Sequence, residues 1–190
     1  MADHKQILVA FLAVRPTQDG EGYLGGLLVT DETGIPQEFR CTHPLRPTAP
    51  QKALYGDTLE PHIFNQLVGV PLIRASTTSP VFCCVEEPIL LQLADDVHLP
   101  IVHLQRLGEV LAVDDFQSDG SSGAQQPRRI DSERGGFQPI SANFGRGHEP
   151  DLETILDDLQ RVFNQIDLLE PFDRITTAIN ALVERDPRFQ

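Results

Sequence analysis

Eight consecutive apolar residues, Ile7-Leu-Val-Ala-Phe-Leu-Ala-Val14, leave no polar face whichever way the backbone alternates. Successive residues of a strand point to opposite sides, so only a strand covered on both sides can bury all of them. The run therefore predicts a central strand of a sheet with layers on both faces. It is too short to span a bilayer, which takes about 20 apolar residues. The start, Met1-Ala-Asp-His-Lys5, carries an acid before its one base, and Arg15 follows the run where a small-residue cleavage site would stand, which argues against a signal peptide. A cytoplasmic protein without a membrane partner is the expectation.

A chain of 190 residues can bury roughly 70% of its unfolded surface without disulfides or metal. Its 40% hydrophobic and 23% charged residues are ordinary globular values. Three cysteines, two of them adjacent (Cys83 and Cys84), cannot form an even disulfide framework, so reduced thiols are expected. The net charge of −13 repels phosphate backbones, which makes nucleic acid an unlikely partner on charge alone.

Tyr23–Thr30 and Gln37–Thr42 read as two further strands, with Asp31-Glu-Thr-Gly34 as turn chemistry, giving an antiparallel three-strand meander. Thr48-Ala-Pro-Gln51 has capping-box spacing, and Asp57-Thr-Leu-Glu60 repeats it one residue after Gly56. Two short helices follow, with Leu54, Tyr55, Leu59, Ile63, Leu67 and Val68 as their apolar stripe and Gly69 as the stop. Val81–Val85, a short helix opened by Pro88, and Pro100–Leu104 form a βαβ unit. Glu109–Val113 offers an edge strand. The fold class is thus a mixed α/β sheet, with residues 1–113 as its core.

Residues 114–148 turn to Ser, Gly, Gln, Asp and Arg and read as a flexible linker or long loop, with Phe137, Ile140 and Phe144 as apolar anchors. Residues 149–190 read as an acidic helical hairpin or kinked helix. Leu152, Leu156, Leu159, Phe163 and Ile166 step by four and three, a heptad-like seam open to a protein partner or to self-association through 149–186.

Few side-chain groups carry recognisable chemistry. Cys41 and His43 are two apart near a strand end, between Arg40 and Arg46, so a thiol activated by an imidazole and nearby cations is one reading. Burial of Cys41 as a small hydrophobe is the other. Zinc at Cys41, His43, Cys83, Cys84, His98 and His103 lacks the close ligand pairs that structural sites show. His103, inside an apolar strand, reads as a hydrogen-bonded core or rim histidine. Phosphate-cradling glycine motifs and a nucleophile elbow are absent, and Arg128, Arg129 and Arg134 alternate with Asp131 and Glu133 as a solvated loop.

Three antiparallel strands, a helix, then strand, helix and strand is an element order that resembles ribonuclease-H-like nucleases, though no sequence motif of that superfamily is matched. The resemblance implies a carboxylate on the first strand and another at the end of the fourth, holding two Mg²⁺ ions. Glu86 and Glu87 fall at the second place, and Asp57 or Glu60 offers a helix carboxylate. The first strand has no acid and ends in Arg15. Two functional expectations result. One is a non-enzymatic interaction protein using its acidic C-terminal helix, with no cofactor. The alternative is a metal-dependent phosphoesterase or nuclease-like enzyme with carboxylates near Glu86 and Glu87, using Mg²⁺, or a degenerate inactive relative of one.

Overall fold

The computed structural model describes residues 7–107, 127–133, 136–147 and 151–186. They form a seven-stranded mixed sheet in the order β3-β2-β1-β4-β5-β7-β6. Its strands are β1 (Leu8–Pro16), β2 (Tyr23–Asp31), β3 (Pro36–Cys41), β4 (Phe82–Val85), β5 (Ile101–Arg106), β6 (Arg128–Ile130) and β7 (Ile140–Phe144). β1 pairs antiparallel with β2 and parallel with β4, and β4 pairs parallel with β5. The mixed α/β class, the meander and the βαβ unit are therefore present as the sequence implied.

Helices cover both faces of β1, as its two apolar sides require. Val9, Phe11 and Ala13 face one core with α4 (Leu152–Phe163) and α5 (Glu170–Arg185). Ala10, Leu12 and Val14 face a second core with the helical stretch 59–75 and the 3₁₀ helix Pro88–Asp95. Phe11 meets Phe172 of α5 edge-on at 5.7 Å between ring centroids. Full burial of such a side chain is worth about 1.5–3 kcal/mol. Cys83 and Cys84 lie on opposite faces, one in each core, both fully buried.

Gly25 and Gly26 let both layers approach β2 closely. A Cβ on Gly25 would lie 2.1 Å from Val68 Cγ1, and one on Gly26 would lie 2.5 Å from Ile175 Cγ2.

Several local expectations need correction. Thr48 caps α1 (Ala49–Tyr55) with both capping-box bonds, but α1 buries no residue, and Leu54, Tyr55 and Leu67 are exposed. Asp57 makes no cap; it lies in the exposed 3₁₀ turn Gly56–Thr58, which leads directly into α2 (Leu59–His62). Gly69 does not stop the helix. The chain continues through a π-helical segment (Ile63–Gly69) into α3 (Val70–Ala75), and Gly69 is small because Leu93 packs against it.

The seam on α4 is also placed differently. Its buried face is Ile155, Leu159, Val162 and Phe163, while Leu152, Leu156 and Ile166 are half-buried. Leu159 and Phe163 are fully buried in the core beneath the sheet, so they offer no surface to a partner. β6 and β7 extend the sheet beyond residue 113, antiparallel to each other and, through β7, to β5. Phe137 stacks against Phe163 with centroids 5.7 Å apart. The expected edge strand at 109–113 lies outside the described residues, as do residues 114–126.

Candidate functional site at the carboxyl ends of the central strands

The parallel register of β1 and β4 pairs Leu12 with Val85, which brings Arg15, at the end of β1, beside Glu86, just past the end of β4. Alternation sends Arg15 and Glu86 to the α5 side of the sheet. Arg15 Nη2 and Glu86 Oε2 form an ion pair at 2.5 Å, with side chains 22% and 38% exposed. Arg15 Nε donates to Thr176 Oγ1 of α5 at 2.9 Å, and Nη1 donates to the Val14 carbonyl at 3.1 Å. The guanidinium is thus held by three partners, one of them a carboxylate.

Glu86 is fixed from behind by its backbone. His103 on β5 is 5% exposed, and its Nε2 lies 3.0 Å from the Glu86 carbonyl oxygen. Asn143 on β7, directly opposite His103 in the ladder, places Nδ2 3.2 Å from His103 Nδ1. The amide donates to Nδ1 and Nε2–H donates to the carbonyl, an assignment that follows from the partners and requires a neutral ring. Burial lowers the His103 pKa, and the bond to Glu86 and its charge only partly oppose this.

Glu87 turns to the other side of the sheet. Burial pushes its carboxyl up; the Glu86 charge adds to this, Arg15 opposes it, and Glu60 adds a further push. Tyr23 is raised by burial and then by the charge and hydrogen bond of Glu60. The helix carboxylate that faces this edge is therefore Glu60. Asp57 is one of the exposed residues around a concavity of about 430 Å³ with Lys52, Gly56 and Glu60.

A divalent cation fits this donor set poorly. In the ribonuclease-H-like arrangement that the element order resembles, such an ion is expected to draw carboxylate oxygens from both strand ends. β1 supplies a guanidinium, which already occupies the Glu86 oxygen on that side. Among the described residues no group of three or more His, Cys, Asp or Glu side chains is placed to hold a metal.

Cys41 and His43 lie away from this cluster. Cys41 ends β3 opposite Gly26, and burial raises its thiol pKa, the reverse of what a nucleophile at neutral pH needs. Of the sequence candidates, the structure brings Glu86 and Glu87 together with Arg15 and leaves out Asp57, Cys41 and His43. Thr176, Asn143 and Tyr23 were not legible as members of the cluster. Asn143 had one signal, as the only amide in the apolar anchor segment Ile140–Phe144.

No family model matches the chain, and a search of curated proteins gives no match. Among solved structures the chain is similar to endonuclease V from Bacillus subtilis, with a TM-score of 0.56 and 13% identity over 94% of this chain and 83% of that one. It is similar to human ENDOV with a TM-score of 0.55 and 14% identity, over 95% and 85% of the two chains. Endonuclease V of Ciona intestinalis, in complex with a 24-mer DNA containing an inosine followed by a ribo-adenosine, gives 0.48 and 14%, over 94% and 88%. At these identities the likeness shows the fold, a ribonuclease-H-like α/β sheet.

Two expectations are corrected. The neighbours are endonucleases, so the primary reading as a protein-interaction module gives way to the nuclease-like alternative. The expectation that nucleic acid is an unlikely partner rested on net charge alone and gives way with it, because endonucleases act on nucleic acid. Net charge is an average over the surface and does not fix the local field at a binding edge. No helix among the described residues is long and apolar enough to cross a membrane.

Proposed function

We propose that the chain is a degenerate relative of metal-dependent nucleases, a protein that engages nucleic acid at the carboxyl ends of β1 and β4 without two-metal hydrolysis there. The observation that carries this reading is the Arg15–Glu86 ion pair at 2.5 Å, which puts a fixed cation where the fold's nucleases need paired carboxylates. The ligand class is supported by the fold it shares with endonuclease V.

Each residue of the cluster then has a structural task. Arg15 neutralises Glu86 and ties β1 to α5 through Thr176. His103, oriented by Asn143, fixes the Glu86 carbonyl. On the far side of the strand ends burial raises the Glu87 carboxyl, and Glu60 accepts a hydrogen bond from the Tyr23 hydroxyl. The three free thiols, two of them fully buried, support a reducing, cytoplasmic setting.

The test combines binding and cleavage. Labelled single- and double-stranded DNA and RNA, with and without inosine, are incubated with the full chain and Mg²⁺ or Mn²⁺. The proposal predicts salt-sensitive binding, read as fluorescence anisotropy, and intact strands on a denaturing gel. Metal-dependent strand scission that is lost in Glu86→Gln would overturn it, and so would the absence of binding to every probe.

A further inference from the structure

The opposite edge of the sheet, where β1, β4 and β5 begin, holds a second concavity of about 540 Å³. This lies within the range of roughly 300–1,000 Å³ typical of small-molecule sites. Its floor is Ala10 of β1 and Leu27 of β2, its apolar flank includes Ile73 of α3, and Arg74 and His98 stand at its rim. Ala10 is one of two small residues in the otherwise large-residue run Ile7–Val14, and its short side chain gives the floor its depth.

Polar bonds hold the walls apart where packing could have closed the space. On one side Glu38, whose side chain is 9% exposed, accepts from the Thr77 and Thr78 backbone N–H groups at 3.1 and 3.0 Å and from the Ser76 and Thr78 hydroxyls at 2.8 Å each. Burial works against the Glu38 charge, but these donors, led by the Thr77 backbone, hold the carboxyl far below its usual range. On the other side Arg74 Nη2 donates to the Asp96 carbonyl at 3.2 Å, and Gln66 Nε2 donates to the Asp96 carboxylate at 2.7 Å. The loop before β4 and the turn before β5 are thereby fixed around a space that the core leaves unfilled.

The rim selects the charge of an occupant. The Arg74 guanidinium spends one N–H on Asp96 and presents the rest, and His98 adds an exposed imidazole. The one carboxylate on the lining, that of Asp96, is engaged by Gln66. We propose that this cavity binds a small molecule with an apolar body and a single anionic end of carboxylate or sulfonate type. The body rests on Ala10, Leu27 and Ile73, and the anion pairs with Arg74 and His98. The site is independent of the strand-end cluster, and the two readings stand or fall separately.

The probe is 1-anilinonaphthalene-8-sulfonate, an aromatic body with one anion, titrated into the full chain and followed by its fluorescence. The expected result is saturable binding at a single site, weakened about tenfold or more by Arg74→Glu. Ala10→Leu, which fills the floor, should abolish it. Ser79→Trp, at the exposed mouth, serves the same purpose without touching the core, should Ala10→Leu fail to fold. Unsaturable binding, binding indifferent to Arg74→Glu, or binding unchanged by every blocking variant that folds overturns the proposal. Binding that appears only after deletion of residues 1–6 assigns the cavity to the chain's own amino-terminal segment and overturns it too.

Discussion

Arg15 and Glu86 are half-exposed partners, so their mutual energy is modest despite the short contact. Solvent screening limits such a pair to about 1 kcal/mol. A double-mutant cycle of Arg15→Met and Glu86→Gln, read by urea denaturation, should return a coupling of that size, and it should shrink at high salt. The importance of the pair is chemical, since it decides which cation Glu86 can hold. Arg15 was visible in the sequence as the base that ends the apolar run. Its partner was not, because the pairing depends on the parallel register of β1 with β4, set by residues about 70 positions apart.

His103 gives a pH dependence at the same scale. Its folded pKa lies below the free value of 6.5, because burial favours the neutral ring. A depressed histidine contributes stability that is complete above its unfolded pKa and is lost as the pH falls from there through the folded value. Melting temperature should therefore drop on acidification below pH 6.5, and His103→Gln, which keeps a donor for the Glu86 carbonyl, should flatten that part of the profile. An unchanged slope in the variant would mean that other groups carry the acid sensitivity.

Among elements, β2 is the most tightly constrained. Both layers press on Gly25 and Gly26, so Gly25→Ala should destabilise by about 1–3 kcal/mol, the usual cost of overpacking, seen as a lower urea midpoint with an unchanged slope. The α4 face makes a contrasting prediction. Leu159→Ala should cost about 2–5 kcal/mol as a core truncation, whereas a docking residue would leave stability unaltered. Strands were legible because a two-residue period and continuous apolar runs are local signals. The α4 face was misread by a fraction of a turn: Leu152 and Leu156 match a heptad as well as Ile155 and Val162 match the face that meets the sheet. The stripe Leu54, Tyr55 and Leu67 failed for the same reason, since spacing reveals a face without revealing whether anything packs on it.

At the scale of the molecule, the order of elements carried more information than any motif. A meander, a helical stretch and a βαβ unit sufficed to reach the ribonuclease-H-like arrangement with 13% identity to its structural neighbour from Bacillus subtilis. Function was harder to read because, on the proposed reading, this edge carries different donors from those the resemblance implies. Glu86 stands where the resemblance implies a carboxylate, and Arg15 stands where it implies another. The overall charge of −13 misled for a related reason, as a sum over 190 residues says little about one strand edge. The most direct test is the melting temperature of the full chain against Mn²⁺ concentration, because an ion that binds only the native form must raise it. No shift is expected for the natural sequence, and a rise of a few degrees for Arg15→Asp, which places a carboxylate on β1. A rise in the natural sequence that disappears in Glu86→Gln would show that the strand ends hold a metal, and the chain would then be an intact rather than a degenerate nuclease.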